Sequence, residues 1–403
     1  MANTLNLGDG NWATKEDSLL AYNSENNNYK PLPFDFSRES YATRVNKDGL
    51  IETVGSGQAR IDYTDDSKGS LLLEPERTNK LSTSNDFNGS GWLISDITAT
   101  ANQVVSPDGT LNASKLEMTG NGSLRNISEA SFNNGYAYSI FIKKGNSRYV
   151  TIRSAFFTQS IVVGFDLDTL TAQTNGKIED YGNDWYRLSI TKDISGDADK
   201  SGFFYLYLPN SLGSQTSESG NYAYFYGGQI EDGSYPTSYI PTQGGTVTRL
   251  AESCVGAGNE QVFNDSEGGL YMEFEVIEKT SSSYYVFSVR SSNGSDVLGV
   301  GGHQGKAFAE MFDGTNYISN NSANLVDGKN KIFLTYNSGN SAKLFLNGIK
   351  VLDFTGTIPS LSNLSQLVQG DRFLSNKYYG NISEIKYQNT LLTDQEAIAL
   401  TTI

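Results

Sequence analysis

The chain has 403 residues, more than one hydrophobic core usually organises, so two or three domains are expected. Its 30 Lys and Arg face 45 Asp and Glu, a formal charge of −15 that repels phosphate backbones and argues against a nucleic-acid partner. A single cysteine, Cys254, and a single histidine, His303, exclude an intrachain disulfide and a multi-histidine zinc site.

The start, MANTLNLGDGNWATKEDSLL, has neither the basic n-region nor the continuous apolar core of a signal peptide. No segment approaches the ~18 apolar residues of a membrane span, so the expectation is a chain assembled in a cytosol without membrane insertion. Residues 1–33 are polar, with the run NSENNNYK from Asn23. They read as an arm or attachment segment that orders against neighbouring proteins, or as an unstructured terminus. From Phe34 to Leu81, YATRV and LIETV flank Asn46-Lys47-Asp48-Gly49, whose Asp-Gly suits a hairpin loop. Arm and β collar together make an N-terminal segment, 1–84.

A second segment, 85–252, carries the strand candidates SKLEMTG from Ser114, YAYSIFIKK from Tyr136, RYVTIRS from Arg148, SIVVGFDL from Ser160, DWYRLSIT from Asp184, GFFYLYL from Gly202 and YAYFYGGQIE from Tyr222. Short strands at this density, parted by turn residues, predict a jelly-roll sandwich. Within FFYLYL, alternation sets Phe204, Leu206 and Leu208 on one face and Phe203, Tyr205 and Tyr207 on the other. After a linker at 253–267, a third segment, 268–403, repeats the plan with GLYMEFEVIE, YYVFSVR, KAFAEMF, KIFLTY, AKLFLNGIKVLDF and NISEIKY. Asn347-Gly348 is its hairpin signal, and Thr393 with Glu396 has the spacing of a capping box that opens a short helix burying Ala397, Ile398 and Leu400. The predicted fold is all-β: two jelly-roll sandwiches in tandem behind a small N-terminal β segment, closed by a short C-terminal helix.

Catalytic machinery is sparse. His303 lies in the glycine-rich turn GVGGHQGK, where a solvated loop histidine is the plain reading, and no phosphate-cradling or dinucleotide glycine motif follows a strand. Glycan cleavage can run on carboxylates alone, and Glu273, Glu275 and Glu278 resemble the acidic E-x-D-x-x-E strand of concanavalin-like β-glucanases. The central Asp is Glu here, and a regular strand turns Glu278 away from the other two, so an outward acidic face over inward Met272, Phe274 and Val276 is preferred. The pairs Asp166/Asp168 and Asp65/Asp66 offer calcium ligands without EF-hand spacing; no cofactor is expected.

Aromatic side chains give the better signal, because sugars present flat C–H faces that stack on rings. Tyr205 and Tyr207 share one strand face, as do Tyr222, Tyr224 and Tyr226 on the next candidate strand. If those strands pair, the five tyrosines form a carbohydrate platform; the competing reading packs this face against another sheet or subunit.

Tyr226 to Arg249, YGGQIEDGSYPTSYIPTQGGTVTR, resembles the closing segment of a carbohydrate-binding-module-like domain of phage virion proteins. FDFSRESYATRVNKDGLIETV from Phe34, ARIDYT from Ala59 and SLLLEPERTNKL from Ser70 occur upstream in the order seen in phage tail-fibre and related proteins, and with DWYRLSIT the resemblance covers residues 34–252. The ending LTDQEAIAL resembles the close of a laminin-G or concanavalin-like lectin domain. These resemblances imply a non-catalytic virion appendage, a tail fibre, spike or head fibre, that displays host-glycan-binding sandwiches at the virion surface. They also imply a homotrimer held to other virion proteins through the N-terminal segment. Glu231, Tyr235, Thr237, Ser238, Tyr239, Pro241 and Arg249, with Arg44, Arg60, Glu74, Arg77, Thr78 and Asn79 upstream, are read as structural, docking collar onto sandwich through arginine–carboxylate pairs and turn hydroxyls.

Overall fold

A computed structural model describes residues 5–15, 18–23, 28–88, 91–126, 129–156, 160–277, 282–354 and 356–403. The architecture is all-β, and Asp394–Thr401 is the one α-helix among the described residues. It opens on the expected capping box, with Thr393 Oγ1 accepting from the Glu396 amide. Ala397 is buried beside Tyr271, Phe333 and Phe345, whereas Ile398, expected to be buried, faces solvent.

The chain divides into two compact units that interleave in sequence: residues 1–39, 54–75 and 251–403 form one, and 40–53 and 76–250 form the other. This differs from the tandem boundaries expected at 84 and 252. The cause is strand pairing. In the first unit the strand Gly380–Gln388 pairs along one edge with Glu267–Val276 and shares its other edge between Leu5–Gly8 and Ser70–Leu73. Leu5, Leu7, Leu71 and Leu73 thereby enter the core of the C-terminal sandwich with Met272, Phe274, Ile382 and Ile385. The strands of residues 1–39 so described are built into this sheet, not held out as an arm, and Ser253–Val255, in the expected linker, pairs with Asn28–Ser37 on the same sheet. A five-stranded sheet, in order Tyr317–Asn324, Lys306–Phe312, Val297–His303, Ser283–Ser291 and Leu364–Val368, covers the core with Val286, Val289, Leu298, Val300, Ala309 and Met311. Asn347 and Gly348 take φ of 49° and 80° in the hairpin loop between Ser341–Leu346 and Ile349–Asp353, as a tight hairpin requires.

In the second unit, Trp92–Val105 and Leu111–Asn126 form a long hairpin that bends between two facing sheets. The strand 111–126 keeps 92–105 on one edge and divides the other: its N-terminal half pairs with Tyr222–Asp232, its C-terminal half with Ser201–Tyr207. The bend needs Gly122, because a Cβ there would lie 1.8 Å from the Ser95 carbonyl oxygen. One sheet continues from 201–207 through Tyr149–Phe156 to Ile161–Asp166; the other continues from 222–232 through Gly135–Lys144 and Trp185–Asp193 to Gly176–Asp180. Phe204, Leu206, Ile152 and Phe165 of the first meet Tyr138, Ile140, Leu188 and Phe225 of the second in one core.

Candidate ligand-binding faces

Because Phe204 and Phe225 both point into that core, the tyrosines one residue away on each strand point outward from opposite sheets. The strands 201–207 and 222–232 do not pair, so the five tyrosines do not form the single platform that alternation suggested. Tyr205 and Tyr207 lie on the outer face of one sheet, and Tyr222, Tyr224 and Tyr226 on the outer face of the other.

The second group is not a flat surface. Tyr222 and Tyr224 meet at 81°, and Lys115, ion-paired to Glu117, sits 4.1 Å over the Tyr222 ring. Tyr226 is a core residue, 4% exposed, packed with Val45, Ile51, Phe141, Trp185 and Tyr239. Its hydroxyl donates to Asp108 Oδ2 at 2.9 Å, and burial holds its pKa well above the usual tyrosine value.

The first group is differently charged, with Tyr205 half-buried and Tyr207 buried, 9% exposed. Tyr205 and Tyr207 are nearly parallel, 11° between planes, with centroids 6.3 Å apart. Strand register places Arg125 directly opposite Tyr205 on one side and Arg153 directly opposite on the other. Both guanidinium carbons sit 5.7 Å from the Tyr205 centroid, and Arg125 also lies 4.3 Å over Phe203. Burial raises the Tyr207 hydroxyl pKa, while a hydrogen bond from Arg153 and then its charge pull against that shift. Cation–π contact orients the guanidinium planes, and with five N–H donors each, Arg125 and Arg153 can still donate outward beyond the bond from Arg153 to Tyr207. The arginines were invisible to sequence reasoning, since only the register of three non-consecutive strands brings them together.

The carboxylates have other work. Glu273 and Glu275 stand opposite Lys331 and Lys329 across the sheet; Glu273 lies within 4.0 Å of both ammonium groups, and Glu275 accepts from Asn381. Met272, Phe274 and Val276 point inward as expected, and Glu278 lies outside the described residues. His303 bonds through Nδ1 to Ser283 Oγ at 2.7 Å. Asp166 is gripped by Arg148, which holds its carboxyl below the usual range, Asp168 pairs with Lys144, and Asp66 accepts from Lys329. Among the described residues no three His, Cys, Asp or Glu side chains converge on a possible metal position, at these aspartates or elsewhere.

The residues that carried the phage resemblance form two networks, each inside one unit. In the first, Glu252 accepts from Arg38 at 2.7 Å and from Arg60 at 2.8 and 2.5 Å, and Arg60 also pairs with Glu74; all four side chains are buried. In the second, Glu231 accepts from Gln229, the Thr237 amide and the Thr237 hydroxyl, and Arg249 donates to Thr237 and Ser238. Asn79 bonds the carbonyls of Gly228 and Ile240, Tyr239 bonds Ser84, Arg77 lies over Tyr235, and Thr78 meets Thr248. The more exposed Arg44 pairs with Glu52 in the Ala42–Val45/Ile51–Val54 hairpin.

No family model and no curated protein matches the chain. Among solved structures it is similar to the Ruminococcus gnavus IT-sialidase CBM40 bound to α2,3-sialyllactose, at 18% identity and a TM-score of 0.30, covering 36% of this chain and 93% of that one. It is also similar to domain 4 of the Geobacillus stearothermophilus arabinanase AbnA in complex with arabinotriose, at 13% identity and a TM-score of 0.32, covering 42% and 83%. The receptor-binding domain of botulinum neurotoxin mosaic serotype C/D matches at 11% identity and a TM-score of 0.28, covering 37% and 39%. Likeness at this level transfers neither a ligand nor a family to the chain.

Proposed function

We propose that this protein is a non-catalytic glycan-binding protein whose binding face is the outer sheet surface around Tyr205 and Tyr207. The observation that carries the reading is the row Arg125, Tyr205, Arg153, with Tyr207 lying parallel to Tyr205 beside it. It joins ring surface suited to a sugar's C–H face with N–H donors suited to its oxygens, on a rigid sheet. The setting that suits this reading is a virion appendage, a tail fibre, spike or head fibre, that engages host surface glycan during adsorption. The resemblance over residues 34–252 supports that setting. A homotrimer follows from the same resemblance, since multivalency raises apparent affinity by ~10²–10⁴ without new contacts.

The test is a glycan array probed with the wild-type chain and with Tyr205→Ala, alongside a reducing-end release assay. Retention that falls in Tyr205→Ala with no release of reducing ends supports the reading; retention unchanged by Tyr205→Ala, or release of reducing ends, rejects it. Light scattering at micromolar concentration tests the trimer, and labelled virions test the location.

A further inference from the structure

We infer that the glycan taken at this face carries anionic substituents, carboxylate or sulfate, held between Arg125 and Arg153; the inference rests on the Tyr205 face being the binding face. Two arginines flank one tyrosine on adjacent strands, so their backbones stand two strand spacings, roughly 10 Å, apart. Neither makes an ion pair with a carboxylate among the described residues, in a chain where Asp and Glu outnumber Lys and Arg by 45 to 30. Arg148, just before the same strand, shows the contrast: its guanidinium is bonded to both oxygens of Asp166.

Among the described residues, the positions paired with the two arginines and the neighbouring rows on this face carry no carboxylate. The row continues to Leu93 beyond Arg125 and to Val162 beyond Arg153, and the rows to either side bring Phe203 with Ala155 and Tyr207 with Thr151. Two positive charges are thus set side by side on an aromatic stretch of sheet in an acidic protein, while farther along the Tyr205 strand Glu129 accepts from the Ser201 hydroxyl. An anion placed between them relieves their repulsion and receives donors from both. Guanidinium forks match the oxygen geometry of carboxylate and sulfate, and charge-assisted bonds are about twice as strong as neutral ones. The overall charge of −15 opposes a long polyphosphate backbone, which favours a sugar with spaced charges over nucleic acid.

The experiment measures binding of the full chain to two matched pairs, polygalacturonate with its carboxyl-reduced form and dextran sulfate with dextran, at low and high salt, with single-stranded oligothymidylate as a further probe. Binding to at least one polyanion about tenfold tighter than to its neutral partner, weakened by salt, is expected. That preference should disappear in Arg125→Gln/Arg153→Gln and persist in Lys115→Gln, on the opposite outer face. The carboxylate and sulfate arms separate the two sources of charge. Equal binding of charged and neutral polymers that is still lost in Tyr205→Ala overturns the anion inference and leaves the Tyr205 face standing. A polyanion preference that survives the double arginine change also overturns the inference, as does tighter binding of oligothymidylate than of either polysaccharide pair. Retention of none of the four polymers, with the glycan array also blank, removes both the face and the inference. Unchanged melting temperatures in the variants separate lost contacts from lost fold.

Discussion

Tyr138 and Phe204 stack with ring centroids 5.0 Å apart and planes 9° from parallel, joining the inner faces of the two sheets of the 76–250 unit. Since Tyr205 follows Phe204, its ring must leave the sandwich on the far side from the tyrosines at 222 and 224. A double change of Tyr205 and Tyr224 therefore combines two unrelated sites. Binding measured on the single variants should fall with Tyr205→Ala and stay unchanged with Tyr224→Ala; a loss confined to Tyr224→Ala would move the binding face to the opposite sheet.

Tyr226→Ala should destabilise this unit by about 3–5 kcal/mol, as expected for truncating a buried aromatic. Tyr226→Phe keeps the ring against Phe141 and Tyr239 and removes the hydroxyl's bonds with Asp108 and Asn85, so its cost should be nearer 1–2 kcal/mol, about 1 kcal/mol per bond. Urea unfolding followed by a probe within residues 76–250 reads both.

Glu252→Gln should lower the stability of the other unit by about 3–5 kcal/mol, because Arg38 and Arg60 would be left buried with much of their counter-charge removed. A midpoint unmoved in urea would mean that Glu74 alone neutralises the pair.

Leu7→Ala tests whether the N-terminal strand belongs to the C-terminal sandwich. Leu7 is fully buried and lies opposite Ile385, so the change should cost about 2–5 kcal/mol. An attachment arm would lose almost nothing. Denaturation of Leu7→Ala, Ile385→Ala and the double variant should also show coupling between the two positions.

Acid should act on two carboxylates of the 251–403 segment with opposite sign. Burial opposes ionisation of Asp313, but the Asn316 side chain and the amides of Asn316, Ser360 and Thr315 outweigh it and hold its pKa at about 2. Its contribution is complete above the unfolded value of about 4 and is lost as pH falls toward 2, a slope that Asp313→Asn should remove. Burial raises the pKa of Glu310 despite hydroxyl bonds from Tyr285 and Tyr317, so Glu310 disfavours the folded state increasingly as pH rises from about 4 through its folded value. Glu310→Gln should flatten that rise, as read by urea midpoints at several pH values.

Much of the fold was legible because its signals are local. Alternation at Phe204 and Leu206, the turn at Asn347-Gly348 and the capping box at Thr393 each depend on residues a few positions apart. Non-local pairing was not legible. Nothing in LNLG at residues 5–8 announces that its partner strand is Gly380–Gln388, and the hydrophobic period of Leu111–Asn126 does not show that it serves two sheets. The candidate site suffered most, since alternation assigned the tyrosines correctly to faces but could not say which strands adjoin. Arg125 and Arg153 acquire meaning only from a register across three separate stretches of chain.

The pairing of Leu5–Gly8 with the strand at 380–388 bears on the order in which the protein can take shape during synthesis. Leu5–Gly8 emerges from the ribosome about 370 residues before its partner, an interval on the order of tens of seconds at typical elongation rates. Throughout that time its leucines and its hydrogen-bonding edge lack their final neighbour, while all of residues 76–250 becomes available to fold on its own. The sandwich of the 251–403 segment thus waits for its closing strand while residues 76–250 can already be folded, and a nascent-chain chaperone would find a persistent client in Leu5–Gly8 throughout that interval.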